Sequence, residues 1–227
     1  MLHLDHVTLA QAGFQMSANW SLQPGTKLAL LGASGAGKST LLMGLAGFLQ
    51  PTAGRILWAD RDITHLPPAE RPMAILFQDQ NLFPHLTLEQ NLGLALDSKL
   101  KLTAQDRTRI AETLEKLGLS GMAHRKPADL SGGQQGRAAL GRVLLQARPI
   151  LLLDEPFAAL GPALKADLLD LVTELATTVI MVTHDPADAR RFASQVVLVH
   201  DGLSDAPIST DEIFSNPPQA LRSYLGI

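Results

Sequence analysis

Gly32-Ala33-Ser34-Gly35-Ala36-Gly37-Lys38-Ser39-Thr40 satisfies the pattern G-x-x-x-x-G-K-[ST], and the chemistry this spacing serves is phosphate binding. Its glycines let backbone N–H groups turn toward phosphate oxygens, and the helix that follows presents its positive N-terminal end. Lys38 then reaches the terminal phosphates while the Ser39 hydroxyl ligates magnesium. At average residue frequencies the pattern arises by chance in roughly one chain of this size in a hundred. The competing reading is a glycine-rich turn that merely caps a helix. It loses ground because an apolar strand pattern precedes the loop and a helical one follows it.

Ile150-Leu151-Leu152-Leu153-Asp154-Glu155-Pro156 is an apolar run that ends in two carboxylates. A buried parallel strand of this kind delivers them to its C-terminal edge, where ligands bind in open α/β sheets. Asp154 is expected to hold magnesium, directly or through water, and Glu155 to polarise an attacking water. On its own a strand ending in Asp-Glu is more often a solvated strand end. Beside a phosphate loop it reads as the hydrolytic half of a site.

About twenty residues upstream, Leu130-Ser131-Gly132-Gly133-Gln134 opens a helical segment. The Ser131 hydroxyl and the backbone of Gly132 and Gly133 form a second expected anion-binding helix terminus. Taken alone, Ser-Gly-Gly is better explained as a glycine-rich N-cap. The company of the other two motifs favours phosphate binding.

Positioning these groups requires strands that end where the motifs begin. Leu2 to Leu9 and Trp20 to Leu22 read as strands before a turn at Pro24-Gly25, and Lys27 to Leu31 as a short buried strand feeding the phosphate loop. Ser39 to Leu49 reads as a helix stopping before Pro51, with strands at Gly54 to Trp58 and Met73 to Gln78. From Thr87 to about Gln146 the pattern is mostly helical. Thr103 is the expected N-cap of a helix with Ile110, Leu114 and Leu117 on one face and Gly118 closing it. Ile150 to Leu153, Val179 to Val182 and Val196 to Val199 then alternate with helical segments, the signature of a parallel α/β core.

Bulk composition narrows the classes. The 227 residues fit one domain of ordinary size, or one with a substantial insert. Hydrophobic residues make up 46%, yet no apolar run approaches the length that spans a bilayer. The opening Met1-Leu2-His3-Leu4-Asp5-His6 lacks a secretory pattern, so a cytoplasmic location is expected. Without cysteine there is no disulfide framework, thiolate metal site or cysteine nucleophile. A formal net charge of -3 argues against a protein that neutralises nucleic-acid phosphates over a broad face. The histidines other than His184 show no metal-ligand spacing.

In this order and spacing the motifs resemble, over essentially the whole chain, the nucleotide-binding subunits of ATP-binding cassette (ABC) transporters. Gly32 to Thr40 matches the Walker A loop, and Gln78, after Ala74-Ile75-Leu76-Phe77, matches the Q-loop. Leu130 to Gln134 matches the family signature, Ile150 to Glu155 matches Walker B with its catalytic Glu, and Thr183-His184-Asp185 matches the switch histidine. The resemblance implies an α/β P-loop NTPase with a RecA-like parallel-sheet core, an N-terminal antiparallel β-region and an inserted α-helical subdomain. It implies one domain over 1–227, with the core at 1–80 and 147–227 and the insert at about 81–146. ATP and Mg2+ are the implied cofactors, with Ser39, Gln78 and Asp154 on the metal and Glu155, His184 and Gln78 in catalysis.

By the same resemblance two subunits join head to tail as a homodimer. Ser131, Gly132, Gly133 and Gln134 of one subunit then face the phosphate loop of the other, and two ATP molecules are sandwiched. His184, which alone reads as an exposed or structural histidine, would contact the γ-phosphate and hold the attacking water. Gln78, alone a polar strand end, would reach magnesium and link hydrolysis to the helical insert.

The chain departs from the family pattern in three places. Ala158-Ala159-Leu160-Gly161 stands where Ser-Ala-Leu-Asp is usual, so this D-loop lacks its acid and communication between the two sites is expected to differ. Gly136, in Gln135-Gly136-Arg137, lies in the early turns of the signature helix and costs about 1 kcal/mol of helix propensity. Where an aromatic normally stacks on adenine, the sequence offers Gln11 and, nearby, Phe14, which reads equally as a core residue.

Leu82-Phe83-Pro84-His85-Leu86-Thr87 and Asn91 resemble bacterial importer ATPases, in which this region borders the groove for a membrane subunit. That implies polytopic permease subunits as partners, a periplasmic substrate-binding protein indirectly, no nucleic acid, and a peripheral place on the cytoplasmic face of the inner membrane. The sequence ends at Ile227 without the extra β-domain of many sugar, metal and polyamine importers, which is expected to set it apart from them. Among compact importers it resembles the ATP-binding subunits for thiamine, on Ala46-Gly47-Phe48-Leu49, Leu76-Phe77-Gln78 with Asn81-Leu82-Phe83, Asn91 to Leu96, Lys101-Leu102 and Leu225-Gly226-Ile227. None of these residues would touch cargo. An importer of another small solute (a metal, anion or polyamine) is the alternative. A soluble cassette ATPase would normally carry two cassettes or a long coiled coil, and a P-loop kinase has no use for Leu130 to Gln134.

Overall fold

The computed structural model describes every residue except Gln80, Ala159, Gly226 and Ile227; the expectations that touch Ala159 and the terminal Gly226-Ile227 lie outside the described residues. Leu2–Gln11 (β1) and Phe14–Leu22 (β2) form an antiparallel hairpin. Its two loop residues, Ala12 and Gly13, both have positive φ (50° and 83°), the geometry that matches the twist of hairpin strands. β2 is longer than Trp20 to Leu22 because its alternation is carried by small and flexible residues: Met16, Ala18, Trp20 and Leu22 are buried in turn.

Lys27–Leu31 (β3) is buried throughout and leads into Lys38–Ala46 (α1). This helix stops short of Leu49 because Gly47 adopts φ 87° as its C-cap, where the missing Cβ removes the left-handed penalty. Ala53–Trp58 (β4) and Arg61–Asp62 (β5) extend the antiparallel region, and Met73–Leu76 (β6) ends two residues before Gln78. The expected helical stretch resolves into Leu88–Gly93 (α2), Ala104–Lys116 (α3) and Gly132–Leu145 (α4). Each starts at a reciprocal capping box, on Thr87, Thr103 and Ser131. Gly118, at φ 62°, follows α3 and donates to the Glu115 carbonyl at 2.9 Å.

Next come Ile150–Asp154 (β7), Pro162–Glu174 (α5), Thr178–Val182 (β8), Pro186–Phe192 (α6) and Gln195–His200 (β9). Leu203–Ser204 (β10), Ile208–Ser209 (β11), Thr210–Ser215 (α7) and Gln219–Leu225 (α8) complete the chain.

The strands run in the order β5-β4-β1-β2-β10-β9-β3-β8-β7-β6, with β11 on β9. The pairs β9-β3, β3-β8, β8-β7 and β7-β6 are all parallel. Parallel strands buried on both faces should be nearly continuous apolar runs, and β3, β7 and β8 are buried throughout and apolar except at one terminal position each, Lys27, Asp154 and Thr178. Leu28, Leu30, Leu152 and Ile180 enter one hydrophobic cluster with β1, β2 and α1. Their neighbours Ala29, Leu31, Leu151, Leu153 and Met181 enter the other, shared with α3, α4 and α5. The helices between β6 and β7 thus pack on one another and on the sheet. Among the described residues no helix is long and apolar enough to cross a membrane.

Candidate active site

All of the sequence-assigned residues except Ser131 to Gln134 emerge at the C-terminal ends of four consecutive parallel strands, β3, β8, β7 and β6. The phosphate loop follows β3, His184 follows β8, Asp154 and Glu155 close β7, and Gln78 follows β6. Parallel pairing places Asp154 beside Val182, so the acidic pair and the histidine loop sit next to one another. A cleft of about 460 Å³ is lined by Gly35, Gly37, Lys38, Ser39 and Thr40 together with Gln78, Glu155, Gln11 and Phe14.

The loop is held by close packing. A Cβ on Gly32 would lie 2.1 Å from the Val199 carbonyl oxygen, so no larger residue fits there. Gly37 caps α1 at φ 107° and lies under the Phe14 ring, which a Cβ would approach to 2.9 Å. Phe14 is therefore half-buried against the loop while also lining the cleft. Gln11 is exposed at the same cleft. Lys38 Nζ donates to the Gly32 and Ala33 carbonyls at 2.7 and 2.8 Å. Burial lowers its pKa, and the negative charges of Glu155 and Asp154 oppose that shift.

The Ser39 hydroxyl donates to Asp154 Oδ1 at 3.2 Å. Burial raises the Asp154 pKa, the Ser39 hydrogen bond lowers it, Glu155 raises it and Lys38 lowers it. A hydroxyl and a carboxylate side by side, with the Gln78 amide lining the same cleft, form an all-oxygen donor set. Magnesium favours such donors, taking one or two carboxylates and leaving its other positions to phosphates and water. The residues present fit that ion.

Glu155 sits at φ 46°, a left-handed backbone that costs a non-glycine residue on the order of 1–3 kcal/mol. Its N–H donates to the Val182 carbonyl at 3.2 Å, which stitches the end of β7 to β8. The turn brings Glu155 Oε2 to 3.1 Å from His184 Nδ1. An ionised carboxylate only accepts, so Nδ1 carries the shared proton.

Ser131 to Gln134 lie elsewhere and line neither the cleft nor the cavity on the other side of the phosphate loop. Ser131 Oγ accepts from Gln134 N at 3.3 Å, and Gln134 Oε1 accepts from Ser131 N at 2.9 Å. Both side chains thus cap α4, and the free N–H groups of its first turn belong to Gly132 and Gly133. Gly136 is buried within the helix. Gly161 is the N-cap of α5 without a side-chain hydrogen bond, and a Cβ there meets nothing within 4 Å. The missing D-loop acid is therefore not a steric requirement of this fold.

A sequence profile described as ABC transporter matches residues 16–158. The thiamine import ATP-binding protein ThiQ of Cereibacter sphaeroides is 60% identical, covering 100% of both chains. The chain belongs to the ABC transporter family. It is the ATP-binding, ATP-hydrolysing cassette of such a transporter. The protein of the same name from Ruegeria sp. is 52% identical over 100% of both chains. A dimeric post-hydrolysis ATP-binding cassette bound to ADP and Pi has the same fold, with a TM-score of 0.81 at 30% identity, covering 92% of this chain and 99% of that one.

Three positions of this ABC cassette escaped the sequence reading. Lys165 in α5 bonds Asp185 at 2.9 Å and Asp188 at 2.7 Å, tying the helix after the D-loop to the turn after His184. Arg71 is fully buried beneath α1, and the Tyr224 hydroxyl reaches the His184 carbonyl. Only Tyr224 carried a signal, as the sole tyrosine of the chain.

Proposed function

We propose that this cassette energises a bacterial importer of thiamine or its phosphates. It works as a head-to-tail homodimer on polytopic permease subunits at the cytoplasmic face of the inner membrane, with a periplasmic binding protein delivering cargo. The activity rests on one observation: four adjacent strand ends carry the phosphate loop, Asp154, Glu155, His184 and Gln78 to one edge. The cargo rests on full-length likeness to proteins named for thiamine import.

The residue roles follow from their chemistry. Lys38 and the N–H groups of the loop bind the phosphates, with α1 directing its positive end at them. Ser39, Asp154 and Gln78 would hold magnesium, which when bound neutralises charge on the phosphates. Glu155 takes a proton from the attacking water, and His184 orients Glu155 through Nδ1. With Nδ1 so engaged, Nε2 donates to a phosphate only when the ring is imidazolium.

The second half of each site comes from the partner copy, whose Gly132 and Gly133 N–H groups close over the phosphates. Support for a membrane partner comes from Phe48 and Phe83, which are 51% and 45% exposed. Phe48 stacks edge-on to Phe77, next to Gln78, and Arg142 lies over Phe83. Phenylalanine and arginine are both enriched at protein–protein interfaces.

The test is reconstitution with the membrane partner that copurifies, measuring ATPase activity with binding proteins loaded with thiamine, its monophosphate or its diphosphate. Several-fold stimulation by one of these is expected. Stimulation only by a different solute's binding protein overturns the cargo, and recovery only with ribosomes or DNA overturns the importer.

A further inference from the structure

We infer that Tyr224, on the C-terminal helix α8, is a positioning residue that sets the backbone of His184 and through it the hydrogen bond between His184 and Glu155. This rests on the ATPase reading above. His184 follows the end of β8 and its side chain is 62% exposed, so packing does little to fix it. What fixes it is the peptide unit joining it to Asp185. The Tyr224 hydroxyl donates to the His184 carbonyl at 2.5 Å, and the N–H of Asp185 donates to Thr183 Oγ1 at 3.0 Å. A peptide unit is planar, so hydrogen bonds at both of its ends fix its orientation and with it ψ of His184.

The two bonds arise independently. Thr183 is local, buried and itself bonded to Asp188. Tyr224 comes from 40 residues away, on a helix anchored by Leu221, which is fully buried in the core cluster. The same helix lines a cavity of about 500 Å³ with Ala220, Ser223 and Tyr224, and Ser34 and Gly35 of the phosphate loop line it as well. One terminal helix therefore touches the histidine loop and borders the phosphate loop. Burial raises the Tyr224 pKa, as do the charges of Glu155 and Asp185, so the hydroxyl keeps the proton it donates.

The experiment compares wild type, Tyr224→Phe, His184→Ala and the double variant in the cassette assembled with its copurifying membrane partner, by steady-state and single-turnover ATP hydrolysis. Tyr224→Phe removes one hydroxyl and keeps the ring. The expected result is a kcat loss of about three- to tenfold, with KM for ATP and the thermal midpoint unchanged. In the His184→Ala background the same substitution should cost nothing further, because the hydroxyl acts through the imidazole. An unchanged kcat overturns the inference. So does an equal fractional loss with and without His184, or a loss confined to KM or thermal stability. A wild-type assembly that hydrolyses no ATP overturns the functional reading itself, and this inference with it.

Discussion

His184 Nδ1 lies 3.1 Å from Glu155 Oε2 although 29 residues separate them. The contact exists because β7 and β8 are neighbouring parallel strands that end together, and because Glu155 turns through a left-handed backbone to face the histidine. In the proposed mechanism the histidine holds the base, and the base abstracts the proton.

Replacing Glu155 by Gln separates these roles. The Gln amide oxygen still accepts from Nδ1, so the loop geometry survives while the proton acceptor is lost. Hydrolysis should fall by about 10²- to 10⁴-fold, the usual contribution of a general base. ATP affinity should hold, and gel filtration with ATP should show an accumulating closed dimer. Normal turnover in this variant would remove Glu155 from the role given to it.

Asp154 carries a pH signature. Burial raises its pKa above the usual carboxylate value despite the Ser39 hydroxyl. The folded state therefore binds this proton more tightly than the unfolded one, and the ionised group costs stability. That cost is full above the raised folded-state pKa and disappears as pH falls below it. Asp154→Asn keeps an acceptor for Ser39 and removes the charge. Without nucleotide the variant should melt roughly 2 °C higher at neutral pH and lose that advantage in acid. It should also lose magnesium-dependent nucleotide binding at all pH values. A variant less stable than wild type at neutral pH contradicts the assigned cost.

Much of this was readable because each motif marks a change of period. Lys27 to Leu31 runs into glycines and Ile150 to Leu153 into carboxylates, so strand ends and candidate site residues could be read together. The helical stretch after Thr87 broke into three because Thr87 and Ser131 form capping boxes whose partners, Gln90 and Gln134, are ordinary polar residues until the chain turns back on them. Phe14 was legible as an aromatic and ambiguous as a role, since it packs on Gly37 and lines the cleft at once. Lys165 and Arg71 were not legible, and Tyr224 stood out only as the sole tyrosine. Each acts on residues far along the chain or on backbone carbonyls, and neither kind of partner leaves a spacing.

Arg71 shows what such a residue does. It is fully buried, and its nearest partners are carbonyls rather than a carboxylate: Nη1 donates to Gly44 and Leu45 at 2.8 and 2.6 Å, Nη2 to Thr64 at 2.6 Å, and Nε to Leu66 at 3.0 Å. Gly44 and Leu45 are in the last turn of α1, whose carbonyls carry the negative end of the helix dipole; the Gly44 carbonyl also accepts from the Gly47 N–H at 3.2 Å. Burial lowers the Arg71 pKa to about 10, so the guanidinium stays charged at neutral pH. The helix that begins at Lys38 in the phosphate loop is thus capped from below by one cation. Arg71→Met fills the volume but takes the guanidinium donors away from all four carbonyls, which should cost about 3–5 kcal/mol and lower the melting midpoint by roughly 10 °C. Arg71→Lys keeps the charge but presents a single ammonium where the guanidinium spreads its donors, so it should fall between the two. Calorimetric melts of the three proteins measure this, and a methionine variant as stable as wild type would show that Arg71 does not brace α1.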